Sequence, residues 1–358
     1  MRIFTIFTCI TLFVHCHVFS QYAISIEVKP AKILIEKGES RQYINFDFLV
    51  NNASADSFTL TRLSISILNA TDKIIHSRFL DNNGTAPSIF IIPNRSFNGK
   101  VSNLIFNPFP EFNLSMPLNK LIYEWIFTSN TDEEIKIITT VHPKNYEQHA
   151  AYKFPLKGNV LVYDAHDFYA HHRRFNYEFA PIKNLGLVSN FMRYAYDFVL
   201  LNENNKEFRG DEKKDENYIG FGKPVYVIGA GKIIYATNNF KDDKTFNIPA
   251  LATNPLELYG NCIAIQHADS SISIYGHLKQ NSLKVKTGES VISQQQIAAI
   301  GVSGSSFFPH LHFEMRTSIL NNSQGIPSYF SNVFLQEGKT STKLKSGLVE
   351  TGNIIQIK

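Results

Sequence analysis

Apolar and polar residues alternate along several short stretches in the first part of the chain. Residues 22–28 and 62–68 carry apolar side chains at every second position, and residues 134–141 are mostly β-branched. A period of two places the apolar side chains on one face of a strand, and β-branched residues favour strands. Turn-forming residues such as 51–54 separate these stretches. The pattern predicts a small antiparallel β-sandwich over residues 21–150, for which an immunoglobulin-like arrangement is one candidate.

The second part of the chain is also rich in strand patterns and has no long helical periodicity. Residues 193–200 predict a strand, and the charged residues 202–217 after it predict a solvated loop. We therefore predict a mainly β chain. The sandwich is followed by a connecting segment at 151–190, a second antiparallel β-sheet domain at 191–320 and a C-terminal extension at 321–358.

The first twenty residues predict a secretory signal peptide. Arg2 supplies a positive charge, residues 3–14 are nearly all apolar, and cleavage is expected after Ser20. The apolar stretch is short for a membrane anchor. A lipid attached at Cys16 is disfavoured because His15 stands where such sites need a small residue. We expect export to the periplasm, the cell envelope or the extracellular space, with no transmembrane segment in the mature chain.

Composition and charge narrow the classes of function. The chain has 44% hydrophobic and 18% charged residues, which is typical of a globular protein. Its net charge of +4 becomes +3 when Arg2 leaves with the signal, too weak to indicate a nucleic-acid partner. Of three cysteines only Cys262 remains after cleavage, so neither an internal disulfide nor a cysteine zinc cluster can form. Its apolar neighbours predict a buried, unreactive thiol.

Residues 309–314, Pro-His-Leu-His-Phe-Glu, hold the most informative chemistry. His310 and His312 would share one face of a strand, where one can bind a metal ion and the other can contact a water or substrate. Glu314 would lie on the same face and could orient a neighbouring group. The pair alone is weak evidence, because strands carry such pairs by chance.

Further motifs occur in order around this pair. They are Gly-Lys-Pro-Val at 222–225, Tyr-Gly-His-Leu at 275–278, Val-Lys-Thr-Gly-Glu-Ser-Val at 285–291 and Gly-Val-Ser-Gly at 301–304. The ordered set resembles the lysostaphin or LytM-type zinc metallopeptidases over about residues 190–320. The resemblance implies that the second domain is a lysostaphin-type antiparallel β-sheet peptidase domain.

The resemblance also implies roles for individual residues. Asp197 and His312 match two of the family's zinc ligands, and His277 and His310 match its two non-ligand histidines. Zinc would lower the pKa of a bound water to about 7 and polarise the scissile carbonyl. The non-ligand histidines would then move protons and stabilise the developing negative charge.

The family's first ligand is absent from this chain. Arg193 stands four residues before Asp197, where the family has histidine, and a guanidinium cannot coordinate zinc. On a regular strand these two residues would share a face, so we expect a salt bridge between them as one outcome.

Two hypotheses follow from this departure. In the first, a histidine from the group His166, His171 and His172 supplies the third zinc ligand, with His171 and His172 as the named candidates. The chain is then an exported zinc endopeptidase, and the resemblance implies the peptide cross-links of peptidoglycan as substrate. In the second, the domain binds the cell wall or regulates a partner without cleaving. The sequence leaves the oligomeric state open.

Overall fold

The computed structural model describes residues 23–358, so the predicted signal peptide at 1–20 lies outside the described residues. The described chain is mainly β, with antiparallel sheets dominating, and this confirms the predicted fold class. No helix in residues 23–358 is long and apolar enough to cross a membrane.

The N-terminal region is a β-sandwich with its own hydrophobic core. It contains a short 3-10 helix at Ser88–Ile91. Its strands are β1 (Ile24–Lys29), β2 (Leu34–Lys37), β3 (Arg41–Ile44), β4 (Asp47–Asn52), β5 (Phe58–Leu68), β6 (Ile74–Asp81), β7 (Ser96–Phe97), β8 (Ser102–Phe106), β9 (Glu111–Asn113), β10 (Lys120–Ser129), β11 (Glu134–Val141) and β12 (Lys144–Asn145).

Three sheets make up this N-terminal region. Their orders are β1-β4-β8, β11-β10-β5-β6 with β7 on β5, and β12-β2-β3-β9. Along β10 every second side chain is buried, and these side chains include Tyr123, Trp125 and Phe127. The alternation read from the sequence therefore places one face of each strand in the core. The predicted strand at 134–141 matches β11.

The C-terminal region packs around a second core. Its helices are α1 (Ala180–Lys183) and 3-10 turns at Asp215–Asn217, Pro249–Ala252 and Pro255–Tyr259. Its strands are β13 (Tyr152–Lys153), β14 (Gly158–Asp164), β15 (Tyr196–Leu201), β16 (Pro224–Tyr226), β17 (Gly231–Thr237), β18 (Cys262–Gln266), β19 (Ile272–Gly276), β20 (Ser290–Val291), β21 (Gln296–Ala299), β22 (Leu311–Arg316), β23 (Gly325–Ile326), β24 (Phe330–Ser331), β25 (Val333–Glu337), β26 (Thr340–Lys343) and β27 (Ile354–Ile357).

One long antiparallel sheet organises this region. Its order is β20-β17-β18-β19-β22-β15-β14-β27-β25-β26, with β23 on β22. β16 and β21 form a separate antiparallel pair, and β13 pairs with β24 in parallel. The sheet includes β14 and β27, which lie outside residues 191–320; the domain limits given above stay predictions. Cys262 is buried in β18, and burial raises the pKa of its thiol, as expected for an unreactive cysteine.

Between β14 and β15 the chain makes a long excursion that carries the histidine group. Residues 165–195 contain turns and the short α1, and they return to the sheet only at Tyr196. The predicted strand at 193–200 is therefore wrong at its start. Residues 192–195 form a turn, in which the Ala195 N–H donates to the Met192 carbonyl at 2.8 Å.

Candidate metal centre

The centre of the long sheet brings two predicted ligands side by side. Asp197 on β15 is the register partner of His312 on β22, and Gly276 at the end of β19 faces His312 from the other side. His277 follows β19 directly, and His310 immediately precedes β22. Sheet register therefore places Asp197 beside His312, and the residues that flank β19 and β22 bring His277 and His310 to the same place.

A third nitrogen reaches this cluster from the excursion before β15. His172 Nε2 lies 3.7 Å from Asp197 Oδ1, and His312 Nδ1 lies 3.2 Å from the same oxygen. One ligand atom from each of these three residues lies within 4.8 Å of the others, and all three side chains are buried.

These residues fit a zinc ion in both chemistry and spacing. Two imidazoles and one carboxylate are a donor set that catalytic zinc sites use, with a fourth position left for water or substrate. Around a tetrahedral zinc with bonds of about 2.0–2.1 Å, ligand atoms lie about 3.4 Å apart. The separations of 3.2 and 3.7 Å bracket that value.

Each of the two imidazoles is backed by a buried carboxylate. Asp164 Oδ2 lies 2.8 Å from His172 Nδ1, and Glu314 Oε1 lies 3.5 Å from His312 Nε2. A carboxylate on the far nitrogen fixes the ring orientation and the tautomer of a metal-binding histidine. Glu314 is itself paired with buried Arg316 at 2.6 Å. The expected orienting role of Glu314 is therefore compatible with its position.

The turn that carries His172 is anchored on the same aspartate. The backbone N–H groups of His171 and His172 each donate to the Asp164 carboxylate at 3.3 Å. Burial alone would raise the pKa of Asp164, but hydrogen bonds from both histidines hold it at about 2. Asp164 is thus an ionised acceptor that shapes the turn around His172.

His171 occupies a more open place beside this pair. Its side chain is 61% exposed, with Nδ1 at 3.1 Å from Asp164 Oδ2 and Nε2 at 3.6 Å from Asp197 Oδ2. His172 is only 5% exposed. Between the two candidates, His172 is the one that groups with both Asp197 and His312, whereas His171 groups with Asp164 and His172.

His277 and His310 present equivalent nitrogens to the site. His277 Nδ1 lies 2.8 Å from the Ser303 carbonyl oxygen, and His310 Nδ1 lies 2.7 Å from the Phe308 carbonyl oxygen. A carbonyl can only accept, so each Nδ1 carries a proton and Nε2 is the ring nitrogen left for the site. His310 Nε2 lies 3.3 Å from Asp197 Oδ1. Both rings can therefore accept or return a proton at Nε2.

The surroundings lower the pKa of Asp197 and the pKa of His172, by different causes. Burial alone would raise the pKa of Asp197, but His172 and His310 hold it well below its usual range. Burial lowers the pKa of His172. An ionised carboxylate beside a neutral imidazole is the protonation state that metal coordination requires.

The pKa values of His277 and His312 shift in opposite directions. Burial, with repulsion from His310 and His312, lowers the pKa of His277 well below its usual range, so this ring is neutral. Burial also disfavours the charged form of His312, yet hydrogen bonds to Asp197 and Glu314 raise its pKa to about 9. A metal binding at His312 Nδ1 would displace that proton.

Arg193 does not pair with Asp197, so the expected salt bridge is wrong. Its Nη2 donates to Asp47 Oδ2, in the N-terminal region, at 2.7 Å. The physical reason is that residue 193 lies in the turn before β15, where the alternation of a strand does not apply. The guanidinium therefore stays outside the metal pocket.

His166 also lies apart from the candidate ligands. Its Nδ1 contacts Glu36 Oε2 of β2 at 2.9 Å, and its ring packs on Tyr194 and Tyr196. Sequence reasoning did not identify Asp164, although it ends a strand seven residues before His171. It also could not identify Asp47, which is 146 residues from Arg193.

Comparisons with known proteins identify the family of this chain. The family model of Peptidase family M23 matches residues 218–326. The NlpD/LppB homologue of Buchnera aphidicola is 35% identical over 138 residues, covering 37% of this chain and 36% of that protein. The lipoprotein NlpD of Yersinia enterocolitica is 33% identical over 95 residues, covering 26% of this chain and 78% of that protein.

Among solved structures, the catalytic domain of lysostaphin from Staphylococcus simulans is 22% identical. The match covers 47% of this chain and 88% of that domain, with a TM-score of 0.26, too low to add to the assignment. The chain spans about a third of the length of the first curated relatives, 36% and 30%. The sequence matches are sufficient for one conclusion: the chain belongs to peptidase family M23.

Proposed function

We propose that this chain is an exported zinc-dependent endopeptidase that hydrolyses peptide bonds in peptidoglycan. In this proposal His172, Asp197 and His312 bind the zinc ion, and His277 and His310 are the catalytic residues beside it. The observation that carries the proposal is the buried convergence of the three proposed ligand side chains. His172 Nε2 and His312 Nδ1 lie 3.7 and 3.2 Å from Asp197 Oδ1, and one ligand atom from each residue lies within 4.8 Å of the others.

The donor set supports activity despite the loss of the family's first ligand. His172 supplies an imidazole from a different part of the chain, and three protein ligands are sufficient for a catalytic zinc site. A bound zinc ion supplies Lewis-acid chemistry, by lowering the pKa of a water and by polarising the scissile carbonyl.

The two remaining histidines would handle protons in the reaction. His277 and His310 each hold their Nδ1–H on a backbone carbonyl, so their orientation is fixed before substrate binds. A neutral Nε2 can take the proton of the attacking water. The resulting imidazolium can then donate to the oxyanion or to the leaving amine. Their rings lie 4.9 Å apart between centroids, close enough to serve one scissile bond.

The substrate and the location rest on resemblance. Relatives include a cell division protein, DipM of Caulobacter vibrioides, and lipoproteins named NlpD. A cell-envelope place is consistent with these names and with the expected signal peptide. The peptide cross-links of peptidoglycan are the corresponding substrate.

The test measures zinc content and cleavage together. Full-length protein should bind about one zinc per chain and release free amino groups from purified peptidoglycan. His310→Ala should lower the cleavage rate at least about 100-fold, because general acid–base catalysis contributes about 10²–10⁴-fold. His76→Ala, on β6 in the N-terminal region, is the matched control and should leave the rate unchanged.

A binding or regulatory role without cleavage is the second candidate. The observation that favours it is Arg193 at the place of the family's first ligand. Protein that binds peptidoglycan but holds no zinc, even when zinc is supplied, would establish this alternative and overturn the enzyme proposal.

A further inference from the structure

A buried carboxylate of the N-terminal region holds two arginines of the C-terminal region. Asp47, at the start of β4, accepts from Arg173 Nη1 at 2.6 Å and from Arg193 Nη2 at 2.7 Å. All three side chains are almost fully buried. Two buried guanidiniums share one carboxylate, so loss of Asp47 would leave both charges without an ionic partner.

Arg173 is fixed through three separate atoms. Besides Asp47, its Nε donates to Asn45 Oδ1 at 3.0 Å, and its Nη2 donates to the Phe46 carbonyl at 2.7 Å. The planar guanidinium therefore has one orientation only. Asn45 in turn donates to Glu36 Oε1 at 3.0 Å, and Glu36 contacts His166. The N-terminal region thus holds the excursion at both His166 and Arg173.

The two arginines lie next to two of the proposed zinc ligands in sequence. Arg173 directly follows His172, and Arg193 lies four residues before Asp197. Asn190, near Arg193, adds a second tie by donating to the backbone carbonyls of His172 and Arg173 at 3.1 and 3.0 Å. Asp47 therefore links the segment that carries His172 to the turn that leads into Asp197.

We propose that Asp47 is a positioning residue of the metal centre, through which the N-terminal region holds His172 in place as a zinc ligand. This inference rests on the proposed zinc site. Most ligands of that site are set by the register of the sheet, but His172 lies on an excursion that is in no strand. Its position depends on two anchors: Asp164 at the end of β14 contacts the His172 backbone and ring, and Arg173, the next residue, ends on Asp47. Arg193, at the position where the resemblance implies a ligand, thus binds Asp47 instead.

The test uses full-length protein in which the ionic anchor is replaced by apolar residues. The triple variant Asp47→Leu, Arg173→Met, Arg193→Met leaves no unpaired buried charge, and such replacements preserve folding in other proteins. Zinc affinity is measured by competition with a chelator. We expect a loss of about 10–100-fold, as for removal of groups that orient metal ligands. The absorption spectrum of the cobalt-loaded variant should move towards that of His172→Ala, because both would lose the same ligand.

A matched control separates positioning from general destabilisation. Asn52 lies on the same strand as Asp47, and its side chain donates hydrogen bonds to the Asp56 and Phe97 carbonyls. The control variant Asn52→Ala removes these hydrogen bonds. It should leave the zinc affinity and the cobalt spectrum unchanged. An equal loss of zinc affinity in Asn52→Ala would overturn the inference, and so would unchanged zinc affinity in the folded triple variant.

If the triple variant does not fold, Arg173→Met decides, because it removes the link next to His172 and leaves a one-to-one pair between Asp47 and Arg193. Weaker zinc binding with a shifted cobalt spectrum supports the inference, and unchanged values overturn it. Zinc binding that is lost in His172→Ala but retained in the anchor variants would overturn the inference and leave the proposed function standing. Wild-type protein that binds no zinc would overturn both.

Discussion

Two buried aspartates of this chain meet opposite kinds of basic partner. Asp47 lies between the guanidiniums of Arg173 and Arg193, whereas Asp197 lies among imidazoles that include His172 and His312. Guanidiniums keep their charge and offer no lone pair, so Asp47 is the centre of a closed ion cluster. Imidazoles can be neutral and then offer a lone pair, so the surroundings of Asp197 are suited to a metal ion.

In the proposed site, His172 takes the place of the histidine that the family resemblance implies at position 193. Arg193 turned away from Asp197 and joined the cluster at Asp47, and the same cluster holds Arg173 next to His172. Arg193 and the segment that carries the proposed ligand His172 are thus both bound to Asp47.

The largest expected effect comes from the metal side of the comparison. Asp197→Asn keeps the size of the side chain but removes a charged ligand. We expect zinc affinity to fall by more than about 100-fold, beyond the usual effect of changing a group that only orients a ligand. Equilibrium dialysis with zinc measures this, and a fall below 10-fold would contradict the ligand assignment.

The stability of the metal-free protein should show the reverse order. Asp47→Asn leaves two buried arginines without a carboxylate, which should cost about 3–5 kcal/mol in the free energy of unfolding. Asp197→Asn should cost clearly less, because the imidazoles around it can give up their protons. Urea denaturation in the presence of a chelator compares the two. Equal losses of unfolding free energy in the two variants would contradict the distinction between the ion cluster at Asp47 and the imidazole cluster at Asp197.

A smaller effect is expected at the carboxylate behind His172. Asp164→Asn keeps an acceptor for the backbone N–H groups but weakens the contact with the His172 ring. Zinc affinity should fall by about 10-fold, at the lower end for such orienting carboxylates. His171→Ala should change it less than His172→Ala. If His171→Ala has the larger effect, the exposed histidine is the ligand instead.

The smallest effect is expected when a histidine is placed at position 193. Arg193→His introduces the histidine that the family resemblance implies at this position, but residue 193 lies in a turn, and its side chain is directed at Asp47. We therefore expect Arg193→His to leave the zinc deficit of His172→Ala unrepaired. Recovery of zinc binding in the double variant would show that the turn can reach Asp197 after all.

The parts of the fold that follow from local patterns were predictable from the sequence. The strand at 134–141 and the place of His312 in a strand follow from the period of two in a β-strand, whereas His310 lies just before β22. The convergence of Asp197 with His312 followed from the family resemblance, and the register of β15 and β22 is what produces it.

The rest depends on contacts between distant residues. Arg193 lies in a turn instead of a strand, and its side chain binds Asp47, which is far away in sequence. The choice between His171 and His172 depends on which of two adjacent side chains is directed inward, and this follows from the anchors at Asp164 and Arg173. No pattern of residue types carries that information, because it arises only from the tertiary contacts of the folded chain.

The most direct test is a crystal structure of the zinc-loaded protein, with anomalous scattering recorded at the zinc edge. The account predicts one strong peak about 2.0–2.2 Å from His172 Nε2, a carboxylate oxygen of Asp197 and His312 Nδ1. It also predicts that Arg193 stays on Asp47. A peak that excludes His172, or Arg193 paired with Asp197 and no zinc between the histidines, would contradict it.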